Sequence, residues 1–325
     1  MNICFLDGID NQYTSKDSES SKLRGAENVV INLSKELSKL GNNVFVYNNN
    51  QYINTINGVT WANFKYINNK IIFDLAITNN DLNLFKKIKS KKYVAISHSI
   101  QSIEKFIRKG QLVSYLYYRP QIILLSNYHL KNRNALLKVF GSIKLEWAVD
   151  EIFLNTTIDD SLVEDRAIFT SRDDRNLDIL INIWKKKIFL KNKSSKLFVT
   201  PSSLIDNKFN IFERNFGSRD MLIKDLIKSR VFLIPGHKGE IFCIAAEEAR
   251  ELCIPIVTLG IGALSERVDH GRTGFIAKNE IEFAKFSLKI LRDNNLWRRL
   301  RNNLKNIRKS KTWENTAKKL IKHIK

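Results

Sequence analysis

Two periodicities share this chain. Short apolar runs at Asn2–Leu6, Val44–Tyr47, Leu75–Thr78, Tyr93–Ser97 and Ile122–Ser126 read as strands. Between them lie segments with helical spacing. The clearest carries Ala26, Val29, Val30, Leu33, Leu37 and Leu40, with Gly41 where a helix C-cap is expected. A polar loop from Gly8 to Arg24 joins the first strand to this helix. Strands alternating with helices predict a parallel sheet built from βαβ units.

A second series of the same kind begins near Ala167–Thr170. It continues with a helix over Leu177–Ile188, strands over Lys196–Thr200, Val231–Pro235 and Pro255–Leu259, and a helix over Ile244–Leu252. The polar, acidic stretch from Asp150 to Asp165 reads as a linker between the two series. The expectation is an α/β protein of two Rossmann-like domains. Open parallel sheets bind ligands at the carboxyl ends of their strands, so the expected site is the cleft between the domains.

Composition refines this picture in a few respects. At 325 residues, with 43% hydrophobic and 10% aromatic content, each domain can bury a core, and general disorder is excluded. The formal net charge of +21 fits a nucleic-acid partner or an anionic membrane surface. It fits equally the compositional drift of an AT-rich coding sequence, since Lys, Asn and Ile are abundant together. Cys4, Cys243 and Cys253 have no ligand or disulfide spacing, which points to a reducing cytosol and small core residues. No run nears the roughly 18 apolar residues of a membrane span. Asp7 stops the apolar start too soon for a signal peptide. A soluble or peripheral protein is expected.

The candidate chemistry centres on Glu240 and Glu248, with seven residues between them. Val231–Pro235 and the turn Gly236–Gly239 lead into the helix, so Glu240 sits at the helix mouth and Glu248 within it. A strand–turn–helix aims backbone N–H groups and a positive dipole at an anion. Carboxylates beside such a site suit hydrogen bonds from hydroxyls, as on a sugar and a ribose.

Residues Gly239-Glu-Ile-Phe-Cys-Ile-Ala-Ala-Glu-Glu-Ala249, Pro255-Ile-Val257, Gly262-Ala-Leu-Ser-Glu266 and Gly271-Arg-Thr-Gly274 resemble the retaining GT-B glycosyltransferases of the large GT4 (glycosyl transferases group 1) family. The family pattern is E-G-F-G-x4-E-A, P-V-V, G-G-x-P-E and G-x-T-G, and the register here holds from Glu240 to Gly274 without a gap. Gly25-Ala-Glu27 looks like the acceptor-side loop, Ser97-His98 like a strand-end histidine, and Trp147-Ala-Val-Asp150 with Phe153 like the segment that closes the first domain. Thr170-Ser-Arg-Asp-Asp-Arg175-Asn-Leu177 resembles T-S-x-P-x-R-G-L, and Trp313-Glu314 with Ala317 and Leu320 resembles the terminal helix that returns to the first domain.

The resemblance implies GT-B architecture, with an acceptor-side domain over 1–153, a nucleotide-sugar domain over 154–311 and a returning helix over 312–325. It gives Glu240 the donor-sugar hydroxyls, Glu248 the ribose and Arg175 the departing diphosphate, with Arg172 a second candidate cation. Backbone around Ile241, Phe242 and Cys243 would cradle the phosphate or sugar, and His98 would lie across the cleft near the reacting sugar. Gly25, Ala26 and Glu27 would face the acceptor. The implied reaction needs no metal or other cofactor and retains the anomeric configuration. Its donor would be a UDP- or GDP-sugar and its acceptor a cell-envelope polysaccharide, lipopolysaccharide or lipid-linked glycan, handled in the cytoplasm on the inner face of the membrane. Several positions depart from the pattern. Ile241 and Cys243 replace glycines, Ala263 and Ser265 replace a glycine and a proline, and Arg24 stands where the acceptor loop has its first glycine.

Competing readings remain at this level. A nucleotide-sugar epimerase or hydrolase would use the same scaffold. A basic nucleic-acid-binding module would show steep salt dependence, but no nucleic-acid motif supports it and no nucleic-acid partner is expected. Glu27 could simply complement its helix dipole, and His237 could cap the turn. Between Ile103 and Pro120, aromatic and apolar residues interleave with Lys105, Arg108, Lys109 and Arg119. That pattern suits an anionic membrane surface or a helix half-buried on the sheet. Arg298, Arg299, Arg301, Lys305 and Arg308 could add to such a surface or form a solvated face.

Overall fold

The computed structural model describes residues 1–17, 25–159, 161 and 163–325. Chain contacts divide it into two compact units, Met1–Ala148 with Thr312–Lys325, and Val149–Lys311.

The first unit holds strands β1 (Asn2–Leu6), β2 (Asn43–Asn48), β3 (Asn54–Ile56), β4 (Val59–Asn63), β5 (Ile72–Asn79), β6 (Lys89–Ile96), β7 (Gln121–Leu124) and β8 (Ser142–Lys144). They run in the spatial order β3-β4-β2-β1-β5-β6-β7-β8. Only β3 is antiparallel to its neighbour. It pairs with β4 through Asn57-Gly58, both at positive φ (53° and 74°), the Asn-Gly geometry of a two-residue hairpin turn. In β1, Ile3 to Leu6 are all buried, as expected of a parallel strand covered on both faces. The helix Gly25–Lys39 buries Val29, Val30, Leu33 and Leu37 on one side, and Gly41 (φ 80°) follows its end.

The helix Trp313–Ile324 completes this unit rather than the one before it in sequence. Trp313 stacks on Trp147 with ring centroids 5.6 Å apart, and Thr316 Oγ1 donates to the Glu146 carbonyl at 3.0 Å.

The second unit holds β9 (Arg166–Ile168), β10 (Lys196–Val199), β11 (Ile211–Glu213), β12 (Val231–Leu233), β13 (Ile256–Thr258) and β14 (Gly274–Ile276). All are parallel, in the order β11-β10-β9-β12-β13-β14. Both sheets therefore reverse their winding once, between β1 and β5 and between β9 and β12. The crevices outside those strand ends are where such sheets hold ligands. The second core packs Phe169, Trp184, Phe232, Phe283 and Trp297, all fully buried, around the sheet. Burial of one such ring contributes about 1.5–3 kcal/mol.

Residues 177–188 are helical at the expected bounds, α-helical to Ile183 and then a π-turn over Trp184–Ile188, where the Trp184 indole N–H donates to the Phe209 carbonyl at 2.8 Å. Two sequence expectations are corrected here. The acidic linker opens with a packed helix, Glu151–Asn155, whose Phe153 is fully buried in the second core. Arg301 and Arg308 are not surface charge. Arg301 is buried against Trp297 and donates to the Cys253 carbonyl, and Arg308 donates to the carbonyls of Phe153, Leu154 and Thr156.

Candidate active site

In the second unit the site forms where β9 and β12 end. After β12 the chain passes through Gly236, which bridges to Ile261 in parallel register, and turns so that Glu240 N–H donates to the His237 carbonyl at 2.9 Å. The His237 ring stays within this turn, its Nδ1 accepting from Gly239 N–H at 2.9 Å. Capping is the role this contact gives it.

From the end of β9 the chain delivers Arg175. Its Nε lies 2.6 Å from Glu240 Oε1, and its guanidinium also pairs with Asp174 at 3.1 Å. Two residues singled out from sequence thus meet in space. Arg172 does not join them. It is exposed and holds Asp174 through two hydrogen bonds of 2.7 and 3.1 Å.

Asn176 follows Arg175 in the left-handed conformation (φ 62°), and its amide donates to the Gly236 carbonyl at 2.5 Å. This clasp ties the Arg175 loop to the Glu240 turn. The family pattern has glycine at this position, and asparagine is the side chain that best tolerates the same backbone. That glycine was the available signal for a residue that sequence reasoning passed over.

Cys243 shows the same substitution. It replaces the second glycine of E-G-F-G and keeps φ at 68°. The helix Ile244–Glu251 starts there, with Ile241, Phe242 and Cys243 buried at its mouth. Burial, and then Glu240, push the Cys243 thiol well above its usual range, so it stays protonated.

Gly262 (φ 73°) lets a second loop pack directly on the Glu240 turn. A Cβ there would stand 2.5 Å from the His237 carbonyl oxygen and 2.7 Å from that of Glu240. Ala263 N–H donates to the same Glu240 carbonyl at 2.8 Å. Only a glycine lets the loops pack this closely.

Glu248 is buried within the helix and accepts from Arg219 Nη1 at 3.0 Å; Arg219 Nε lies 3.2 Å from Asp150. Burial raises its carboxyl to about 7 against the opposing pull of Arg219. Arg219 and Asp150 complete this triad and carried no signal as site residues in the sequence beyond a helix start and the G-V-D resemblance. The adjacent Glu247 is structural. It pairs with Arg250 (2.7 Å), Arg267 (2.7 Å) and Lys311 (2.9 Å) inside the fold.

In the first unit a polar chain leads to His98. The phenol of buried Tyr13 donates to buried Asp7, and the Asn79 amide donates to the same oxygen at 3.0 Å. The Asn79 carbonyl oxygen stands 2.8 Å from His98 Nε2, so the ring donates there and keeps Nδ1 as an acceptor. Burial lowers the His98 ring to about 4, which leaves it neutral at physiological pH. Glu27 is fully buried, with neither carboxylate oxygen hydrogen-bonded among the described residues, while Gly25 is exposed and Ala26 partly so. Arg24, a departure noted in the sequence, lies outside the described residues.

The stretch from Ile103 forms two helices, Ile103–Arg108 and Leu112–Tyr118. Phe106 and Tyr115 are buried, whereas Ile107, Val113, Leu116 and Tyr117 are 55–76% exposed. The buried pair fits the reading of helices half-buried on the sheet, and the other four leave an apolar face exposed. Among the described residues no helix is long and apolar enough to cross a membrane.

Residues 207–307 match a family model described as Glycosyl transferases group 1. No curated protein sequence matches the chain. Among solved structures, HepE of Anabaena in complex with UDP and glucose is 14% identical, with a TM-score of 0.70 over 99% of this chain and 98% of that one. WaaG, a glycosyltransferase involved in lipopolysaccharide biosynthesis, is 12% identical, with a TM-score of 0.66 over 99% of each chain. A TarM variant of S. aureus in complex with UDP is 13% identical, with a TM-score of 0.60 over 91% of this chain. This chain spans 59% of TarM. At such identities the likeness defines the fold, which is the GT-B fold of these glycosyltransferases. With the matched segment, it supports a glycosyltransferase as the class of enzyme.

Proposed function

We propose that the protein is a retaining glycosyltransferase that moves a sugar from a UDP- or GDP-sugar to a cell-envelope glycan or lipid-linked acceptor. The Arg175–Glu240 contact at the ends of β9 and β12 carries the reading, because it puts a cation and a hydroxyl acceptor together where such folds hold ligands. The donor would rest on the second unit. Glu240 would take hydroxyls of the sugar, Glu248 those of the ribose, and Arg175 would turn from Glu240 toward the diphosphate as its charge develops. This assigns neutralisation of the leaving group to a side chain rather than to a metal ion. UDP bound to HepE and to TarM favours a uridine donor.

The acceptor would use the first unit, with His98 as a neutral hydrogen-bonding group beside it and Gly25–Glu27 at its loop. The exposed Ile107, Val113, Leu116 and Tyr117, set among Lys105, Arg108, Lys109 and Arg119, suit an anionic membrane surface on which a lipid-linked acceptor is presented. A melting-temperature screen against UDP-, GDP-, ADP- and TDP-sugars tests the donor. A selective rise with one of them supports the reading. No response to any nucleotide-sugar, in protein that melts cooperatively, opposes it.

A further inference from the structure

On the second unit an open groove of about 720 Å³ runs between the π-turn Trp184–Ile188 and the helix Glu280–Arg292. Lys191 and Arg292 stand at one end, just before the chain enters β10 at Lys196. That is the amino edge of the sheet, opposite the strand ends that hold Arg175 and Glu240. The floor is apolar. Ile281, Ala284 and Leu288 fall at i, i+3 and i+7 on one helix face. Ala284 and Leu288 are sunk, at 4% and 8% exposure, and Ile281 is 69% exposed. Around this floor stand Lys186, Lys187, Lys191, Lys285, Lys289 and Arg292, against one lining carboxylate, Asp293. That carboxylate already accepts from Leu296 N–H at 2.9 Å, capping the next helix. Lys185, outside the groove, pairs with Asp206 at 2.6 Å. The five groove lysines make no ion pair among the described residues, and the Arg292 guanidinium donates to the Lys191 carbonyl.

Cations gathered around one recess repel one another, and an anionic partner relieves that repulsion. The floor then separates the kinds of anion. A nucleic-acid strand would use the rim and leave the floor bare, and no aromatic ring lines the groove for a base to stack on. A bilayer takes up apolar side chains that stand proud of a surface, whereas Ala284 and Leu288 are recessed between lysines. A second copy brings its own excess of positive charge, +21 over the chain. A helix with an apolar stripe between acidic flanks matches both rim and floor. The helix Glu280–Arg292 is about 20 Å long, room for about three turns of such a partner.

We infer that this groove docks an acidic amphipathic helix of a partner protein, with apolar side chains on Ile281, Ala284 and Leu288 and carboxylates on the lysines of the rim. The inference is independent of the glycosyl-transfer reading, because the groove lies at the other edge of the sheet from Arg175 and Glu240.

The test is fluorescence anisotropy of the full chain with a labelled peptide of about 15 residues, leucine at i, i+3, i+4 and i+7 spacing and glutamate elsewhere. A shuffled peptide of the same composition lacks the stripe and should bind at least about tenfold more weakly. Lys285→Glu combined with Lys289→Glu, both at exposed positions, should weaken the striped peptide about tenfold or more and leave the melting temperature nearly unchanged. Arginine at both positions keeps the charge and should keep the binding. Ile281→Ser should weaken the striped peptide and spare the shuffled one, and Ile281→Leu should restore it. A striped peptide that fails to bind overturns the inference. So does equal affinity for the two peptides, or an affinity unchanged by the double glutamate variant. Phosphatidylglycerol vesicles and a single-stranded oligouridylate form parallel arms. Binding of either that the double variant abolishes, with the striped peptide unbound, assigns the groove to a bilayer or to nucleic acid and overturns the inference as well.

Discussion

Arg175 Nε stands 2.6 Å from Glu240 Oε1, so the end of β9 is joined to the end of β12 by an ion pair across the point where the sheet reverses its winding. The pair is partly exposed, at 20% and 13% for the two side chains. Its worth to folding is therefore small, about 0–1 kcal/mol. Arg175→Ala should leave the melting temperature nearly unchanged while lowering kcat by about 10²–10³, the usual loss when one fixed donor to developing charge is removed. Steady-state kinetics with the donor found by the melting screen checks this. Full turnover in both Arg175→Ala and Glu248→Ala would sink the assignment.

Glu248 predicts a pH dependence. Its carboxyl is raised to about 7 in the folded protein from an ordinary 4.5. The fold thus favours the protonated form. That contribution is complete below about 4.5 and is lost as pH rises through 7, a change of about 3 kcal/mol. A ribose bound through two hydroxyls favours the carboxylate, so nucleotide-sugar affinity should rise between pH 6 and 8. Glu248→Gln should flatten both trends, measured by urea titration and by calorimetric binding at each pH. A wild type with pH-independent stability and affinity would contradict this account.

The glycine contacts make a prediction about geometry. Gly262→Ala drives a Cβ into two carbonyl oxygens, so it should cost at least about 1–3 kcal/mol and displace the Glu240 turn. Cys243→Gly relieves a left-handed cysteine and should be neutral or stabilising, whereas Cys243→Val should destabilise by about 2 kcal/mol. Chemical denaturation of the three variants is the measurement. Equal stability for the Gly and Val variants at 243 would show that the backbone there is not constrained.

Much of this was legible in the sequence, for identifiable reasons. The buried parallel strands are continuous apolar runs, and the Glu240–Gly274 segment keeps a fixed register, so β12, β13 and the helix between them could be read directly. The hairpin of β3 and β4 carried its Asn57-Gly58 signal and was passed over, because its flanking residues are polar and do not alternate strongly. Other omissions had no local signal. Arg219 reaches Glu248 from 29 positions away in the chain, and only the folded sheet makes them neighbours. Arg301 and Arg308 looked like surface charge because a sequence does not show which carbonyls a guanidinium will satisfy.

His98 predicts an acid limit. Its ring is lowered to about 4 from 6.5, and His129 is lowered likewise, both chiefly by burial. The neutral forms stabilise the fold fully above pH 6.5, and that stability is lost as pH falls from 6.5 toward 4. His98→Gln should remove about half of the slope that two such histidines impose in this interval, followed by tryptophan fluorescence during acid titration. A slope unchanged by the substitution would mean that the ring is not held neutral by its surroundings.

The helix Trp313–Ile324 packs beside Trp147 in the first unit, although the whole second unit lies between them in the chain. A ribosome therefore finishes residues 149–311 before it delivers the piece that residues 1–148 still lack. The earlier-made half must wait with an uncovered indole while its successor folds. Assembly of this protein is ordered in time by its connectivity, and loss of residues 312–325 would harm the unit synthesised first.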